Sequence, residues 1–157
     1  MLRFSQLIVC VMLLWGISGC DKKPVGGVAQ MHWDRDMCER CKMAVSERKF
    51  AVQVINPQTG KSYKFDDIGC AVLWMEEDKI PWRDQAIIWI TDATTGEWID
   101  AKKADYTAEA ITPMAFGFAA HTAKTLPKGA KVYRYEQVVK EVVRIEAENS
   151  AKLKGFR

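Results

Sequence analysis

The sequence predicts an α+β domain: two related ββα-type units in one mainly antiparallel sheet, with helices to one side and a further helix at the C-terminus. Three observations lead there. Short runs rich in β-branched and aromatic residues, at 50–56, 61–65, 86–91 and 97–100, come in pairs joined by turn residues. The two turns, Asn56-Pro57-Gln58-Thr59-Gly60 and Asp92-Ala93-Thr94-Thr95-Gly96, repeat one chemistry at an offset of 36 residues. Apolar residues at helical spacing follow the first pair and recur at the end of the chain.

Taken in order, residues 1–19 read as a signal peptide. Arg3 supplies the positive charge, residues 7–17 form an apolar run too short for a stable span, and Ile17-Ser18-Gly19-Cys20 closes the segment. Those four residues resemble the bacterial lipobox, whose cysteine is lipidated and becomes the mature N-terminus, so Cys20 is the expected anchor. Asp21 resembles an inner-membrane retention signal. The expected location is therefore the periplasmic face of a bacterial membrane, with the inner membrane favoured. Residues 20–30 then carry the lipidated N-terminus and a short tether, because Gly, Pro and charge prevent a packed element there. Without residues 1–19 the chain holds 22 basic against 20 acidic residues, Arg3 being the one charge removed. That balance is too even for a nucleic-acid partner, which leaves a clustered basic footprint.

The domain proper is expected over 31–157. Residues 31–49 alternate poorly and read as a loop or tight turn around two cysteines. Residues 50–56 and 61–65 form a hairpin. Asp66-Asp67 offers an N-cap to an amphipathic helix over 67–78, on the spacing of Ile68, Val72 and Met75. Cys70 falls in its first turn, where a helix N-terminus favours thiolate. Residues 86–91 are the most apolar strand and the expected centre of the sheet; 97–100 return. Residues 101–110 read as a short helix or a loop. The apolar stretch from Thr112 to His121 contains Pro113 and Gly117, which argue against a long helix. Residues 131–135 read as a strand, and 136–154 as a helix with a stripe of Val139, Val142, Val143 and Ile145.

The chemistry is concentrated in Met37-Cys38-Glu39-Arg40-Cys41-Lys42-Met43. Paired thiolates with a thioether suit a soft metal, Cu(I) above all, while structural zinc usually takes four ligands. A Cys38–Cys41 disulfide is a second reading. A catalytic dithiol is a third, although such a motif normally opens the helix after a strand of a βαβ unit, and no strand precedes this one. If Cys20 carries lipid, Cys38, Cys41 and Cys70 remain, an odd number that argues against a simple disulfide scaffold. Met114, in a Pro-flanked loop, is a candidate thioether ligand; His32 and His121 are candidate further donors. Asp66 and Asp67 read first as helix caps. A thiol enzyme is the competing class, with Cys38 or Cys41 as nucleophile and Cys70 resolving it.

Cys38-x-x-Cys41-x-Met43, then Tyr63-x-Phe65-Asp66-Asp67-x-x-Cys70, then Thr112-Pro113-Met114-x-x-Gly117-x-x-Ala120, behind a lipobox, resemble the NosL family, the copper-binding lipoproteins that accompany nitrous oxide reductase. The resemblance spans residues 31–140. It implies a membrane-anchored periplasmic Cu(I) metallochaperone rather than an enzyme. Its partners would be nitrous oxide reductase or the transporter complex that assembles its copper–sulfide site. It also implies a fold shared with organomercurial lyase, and a ligand set of Cys41, Met43 and Met114 with Cys38 as a further candidate. One departure stands out: the family commonly has Gly between the second cysteine and the methionine, and this chain has Lys42.

Overall fold

The computed structural model describes residues 26–155; the expected signal peptide, Cys20 and Asp21 lie outside them. Among the described residues eight elements follow one another: β1 (Val52–Ile55), β2 (Ser62–Phe65), α1 (Ile68–Glu77), β3 (Ile87–Thr91), β4 (Trp98–Asp100), β5 (Asp105–Thr107), β6 (Ala119–His121) and α2 (Tyr135–Gly155), with a 3₁₀ turn at Arg83–Gln85 before β3. β1 to β4 form an antiparallel sheet in the order β2-β1-β3-β4, and β5 pairs with β6 in a second, two-stranded sheet. The architecture is α+β. The apolar 86–91 run lies inside the larger sheet, where both of its edges are paired.

The two hairpin turns match atom for atom. Asn56 Oδ1 accepts from the N–H groups of Gln58 and Thr59, Gly60 N–H donates to Asn56 C=O, and Lys61 N–H donates to Thr59 Oγ1. Asp92 does the same for Thr94, Thr95 and Gly96, with Glu97 N–H on Thr95 Oγ1. Both turns close on a glycine in the left-handed region, at φ 71° for Gly60 and 75° for Gly96. The repeat is therefore real at the level of the hairpin. It stops there: the second hairpin is followed by a turn and β5, so of the two readings of 101–110 the helix does not form.

Strand alternation sorts the sheet into two faces. Val52 and Val54 stand opposite Ile90 and Ile88, all buried on the core face. The other face carries Gln53, Trp89, Thr91 and Trp98. Gln53 is fully buried, and its amide is satisfied by the backbone of Ala29, as donor and as acceptor, at 2.9 Å each. Trp89 Nε1 donates to Gly26 C=O at 2.9 Å, and Trp33 stacks on Trp98. Residues 26–29, the end of the segment read as tether, thus lie against the sheet.

α1 departs from the amphipathic pattern expected of it: every residue from Ile68 to Met75 is buried. The helix contacts β1, β2 and α2, so no side is left for solvent until Glu76 and Glu77. The strand expected at 131–135 shrinks to one bridge, Tyr133 with Tyr106, because Tyr135 already starts α2. In α2 Val138 and Val142 are buried and Val139 and Ile145 pack at the margin, whereas Val143 turns outward. It lies about 100° round the helix from Val142, beyond a narrow apolar stripe. No helix among the described residues is long and apolar enough to cross a membrane.

Candidate metal centre

The Cys38–Cys41 segment is a closed turn. Cys38 N–H donates to Met43 C=O at 2.8 Å, Lys42 N–H donates to Cys38 C=O at 3.0 Å, and Met37 bridges Ala44. Closing it puts Lys42 at φ 60°, in the left-handed region. That is the position where the resembled family carries Gly, and only Gly adopts that conformation without a steric cost. The turn is then fastened on three sides. Glu39 N–H donates to Lys64 C=O of β2 at 2.9 Å. The Arg40 guanidinium forms a fork on Glu77 at the end of α1, at 2.9 and 3.0 Å, and reaches Glu146 of α2 at 3.0 Å. Lys42→Gly is expected to stabilise the apo domain by up to about 1 kcal/mol in urea unfolding, the relief of strain less the added chain entropy. Affinity for a soft metal ion at this site should stay within about threefold, because Lys42 Nζ pairs with Glu39 at 3.3 Å and not with a sulfur. An unchanged or lower midpoint would show the left-handed residue to be unstrained.

Facing the turn is the junction of β2 and α1. Asp67 is the N-cap: its Oδ1 accepts from Gly69 N–H at 2.8 Å. Asp66, one residue earlier, does not cap. Its Oδ2 accepts from the Cys41 thiol at 3.3 Å, and Oδ1 is buried with no hydrogen-bond partner among the described residues. Cys70, in the first turn of α1, completes the group. The Sγ atoms of Cys38, Cys41 and Cys70 and a carboxylate oxygen of Asp66 all lie within 4.8 Å of one another. All three cysteines are free thiols. Cys38 and Cys70 are 0 % exposed; Cys41 is half-buried and is the group's contact with solvent.

The electrostatics separate the three thiols. The Cys70 thiol and nearby donors from Cys41 hold Cys38 well below the usual thiol range, down to about 6, so it is a thiolate at neutral pH. Cys41 is pushed up to about 12, first by burial and then by the neighbouring Cys38 thiolate. Cys70 is raised as well, because it donates to Cys38 and is buried. The thiolate expected at the start of α1 therefore forms on Cys38 instead. Two buried negative sulfurs in contact are worse than one, and that outweighs the helix N-terminus.

Of the predicted ligands, Cys38 and Cys41 are in the cluster. Met43 follows Cys41 on the same turn and is 46 % exposed. Met114 lies on the loop before β6, and this loop is docked on the start of α1. Thr112 Oγ1 donates to Asp67 Oδ2 at 2.6 Å, and Met114 N–H donates to the same oxygen at 3.3 Å. Phe116 is buried where a Cβ on Gly69 would stand, so this helix position takes only Gly. Neither histidine joins the cluster. His32 pairs with Asp36 at the surface, and His121 is buried with Nε2 on Thr107 Oγ1 at 3.2 Å. The sequence reading treats Asp66 first as a cap and gives Cys70 no first place among the ligands, whereas the structure brings both beside Cys38 and Cys41. The signal that points to them is the Asp66-Asp67-x-x-Cys70 spacing at a strand-to-helix junction, where capping explains Asp67 and leaves Asp66 without a task.

Chemically the group is a soft, three-sulfur cradle with one oxygen. Metal–sulfur bonds of about 2.3 Å in a tetrahedral site separate ligand atoms by about 3.8 Å, so contraction of under about 1 Å would close this cluster on an ion. The partnerless Asp66 Oδ1 is an acceptor with nothing yet to accept from.

No protein-family model matches this sequence, and no curated protein does. Among solved structures, the chain is similar to the crystal structure of the copper chaperone NosL from Shewanella denitrificans, with a TM-score of 0.55 at 14 % identity over 70 % of this chain and 94 % of that one. The chain has a NosL-like fold. Within that fold, the sulfur cradle at the β2–α1 junction is built from this chain's own residues.

Proposed function

We propose that this protein is a membrane-anchored periplasmic copper chaperone that carries Cu(I), with copper as cargo rather than as a resident cofactor. One observation carries the reading: three cysteine sulfurs and a carboxylate, one of whose oxygens has no hydrogen-bond partner among the described residues, converge within 4.8 Å on a NosL-like fold. Soft donors select Cu(I) over the harder divalent ions. Exposure of Cys41 alone leaves one edge of the site open, as a transfer site requires. The lipidated Cys20 and the periplasmic location are read from the sequence, as are nitrous oxide reductase, or the transporter complex that assembles its copper–sulfide site, as the recipient. Met43 and Met114 are the thioether ligands that the resemblance adds to the cysteine sulfurs. A non-enzymatic role accords with the burial of Cys38 and Cys70.

The test is an anaerobic Cu(I) titration of the reduced chain from residue 21 against a competing chelator. One copper per chain is expected, bound at least about a hundredfold more weakly after Cys41→Ser and about tenfold more weakly after Met114→Ala. No binding tighter than the chelator would sink the reading. A thiol enzyme is the second reading, favoured by the Cys38 thiolate held beside the Cys41–Asp66 pair. Reductant-driven turnover of a small disulfide, lost on Cys38→Ser, would establish it.

A further inference from the structure

The three thiols of the cradle are not equivalent partners for one another. The Cys70 thiol donates to Cys38, and the Cys41 thiol donates to Asp66 Oδ2 at 3.3 Å. A disulfide between Cys38 and Cys70 removes a buried donor together with its acceptor, so no polar group is left alone. Cys41 keeps its thiol, and Asp66 keeps its donor. A Cys38–Cys41 or Cys41–Cys70 bond has the opposite effect. Asp66 is 2 % exposed and already has no partner at Oδ1 among the described residues; either bond takes the donor from Oδ2 as well.

The fold holds the favoured pair in place. The sulfurs of Cys38 and Cys70 lie within 4.8 Å, and a side-chain rotation has to bring them to the about 2 Å of a disulfide. The turn that carries Cys38 is tied to the helix that carries Cys70, because Arg40 forks on Glu77 at the end of α1. It is tied to β2 as well, through Glu39 N–H on Lys64 C=O. Fixed proximity of this kind raises the effective concentration of one thiol at the other. Chain entropy favours the same pair. Cys38 and Cys70 are 32 residues apart, Cys38 and Cys41 only three, and a cross-link that closes the longer loop stabilises the fold more. Cys38 and Cys70 are both fully buried, so an external disulfide meets Cys41 first.

We propose that the cradle is also a thiol–disulfide switch, in which Cys41 exchanges with a small external disulfide and Cys38–Cys70 is the bond that the protein keeps. Three exchanges lead there, each breaking one S–S bond and forming another. Cys41 attacks the external disulfide RSSR, binds one RS group and releases the other as RSH, which carries off the Cys41 proton. Cys38 attacks Cys41 in this mixed disulfide and displaces the second RS group, which leaves as RSH with a proton from solvent. Cys70 then attacks Cys38, and its proton passes to the departing Cys41 sulfur. RSSR is the oxidant: it gains two electrons, and Cys38 and Cys70 lose them. Of the four converging donors only Cys41 and Asp66 then remain free, too few to hold a soft ion. A bound ion conversely occupies the sulfurs and blocks the exchange. The inference rests on the metal-carrying part of the chaperone reading and adds the condition under which cargo is accepted. The disulfide is stored and not turned over, which separates this switch from a thiol enzyme.

The experiment equilibrates the metal-free chain from residue 21 with excess glutathione disulfide, blocks remaining thiols with iodoacetamide and maps the tryptic peptides. Trypsin separates the three cysteines into residues 36–40, 41–42 and 65–79. Peptide 36–40 is expected joined to 65–79, with 41–42 alkylated. The oxidised chain should bind Cu(I) at least about a hundredfold more weakly than the reduced one, and a phosphine reductant should restore it. Its thermal midpoint should rise by about 10 °C, as a long closed loop requires and a four-residue one does not. Cys41→Ser should reach the same product about tenfold more slowly, having no exposed thiol to begin the exchange. A final product that joins 41–42 to either other peptide would overturn the proposal, as would three alkylated cysteines at equilibrium. Oxidation that leaves Cu(I) affinity unchanged would overturn it too, and an unslowed Cys41→Ser would remove Cys41 from the entry role. A reduced chain that binds no Cu(I) would instead bring down the chaperone reading, while the peptide map still decides the disulfide.

Discussion

Between about pH 7 and pH 9 the Cu(I) affinity of this protein is expected to rise about a hundredfold for each pH unit, because binding displaces about two protons. On the proposed chaperone reading Cu(I) would be held by thiolates, so every thiol that is still protonated in the apo state must give up its proton to bind. Cys38 has already done so, being lowered to about 6 by its neighbours' donors. Cys41, raised to about 12 by burial, and Cys70, raised by its bond to Cys38, have not. Each contributes a factor of about ten per unit, and affinity falls as pH falls. Below about pH 6 Cys38 protonates too, and the dependence should steepen to about a thousandfold per unit. Competition with a chelator of known proton affinity measures the slope directly. Cys70→Ser should reduce it to about tenfold per unit. A tenfold slope in the wild type would show that only one of these two thiols ligates, with the thioethers of Met43 and Met114, which release no proton, completing the site.

Asp67→Ala should cost about 3 kcal/mol of folding stability, a fall of roughly 10 °C in Tm. Asp67 is 1 % exposed and serves three groups at once: Gly69 N–H, Thr112 Oγ1 and Met114 N–H. Truncation removes the cap of α1, worth about 1 kcal/mol, and leaves the buried Thr112 hydroxyl unsatisfied, worth about 1–3 kcal/mol more. The second consequence is local. With its hook gone, the loop carrying Ile111 and Met114 is fastened to α1 by Phe116 alone. Thermal unfolding reads the first effect, and hydrogen exchange at residues 110–117 reads the second. Asp67→Asn, which keeps an acceptor for Gly69 and removes a carboxyl that burial already disfavours in ionised form, should fall between the two. Stability within about 0.5 kcal/mol of wild type for Asp67→Ala would show that the loop docks through Phe116 and needs no hook.

Much of this molecule is legible in its local patterns. The hairpins, the N-cap at Asp67, the limits of α1 and the long C-terminal helix depend on residues within a few positions of one another. Turn chemistry, capping and periodicity report such local choices directly. Lys42 shows the same logic from the other side: a residue standing where Gly is common marks a left-handed turn position, and the backbone there is left-handed. Local patterns mislead where the deciding neighbour is distant. Residues 131–135 have the composition of a strand, but Tyr106 offers a partner to one residue of them. Val143 fits an apolar stripe by spacing, but the surface that α2 packs against is too narrow to reach it.

The first two hairpins, α1, α2, the repeated turns and the Cys38-x-x-Cys41-x-Met43 clamp are written in the chain, because each is a short-range pattern of side-chain size, backbone freedom and donor type, whereas β5 and β6 pair with each other across the intervening loop and carry no such local signal. What completes the clamp is a matter of packing. Asp66 and Cys70 lie 25 and 29 residues beyond Cys41, and no spacing rule links them to it. They arrive because β2 runs past the cysteine turn and α1 begins at once, bringing the strand end and the first helical turn under the same two sulfurs. The division of charge among the thiols follows from that crowding. Three sulfurs crowded into one buried space cannot all ionise, and which sulfur does depends on the contacts in that space.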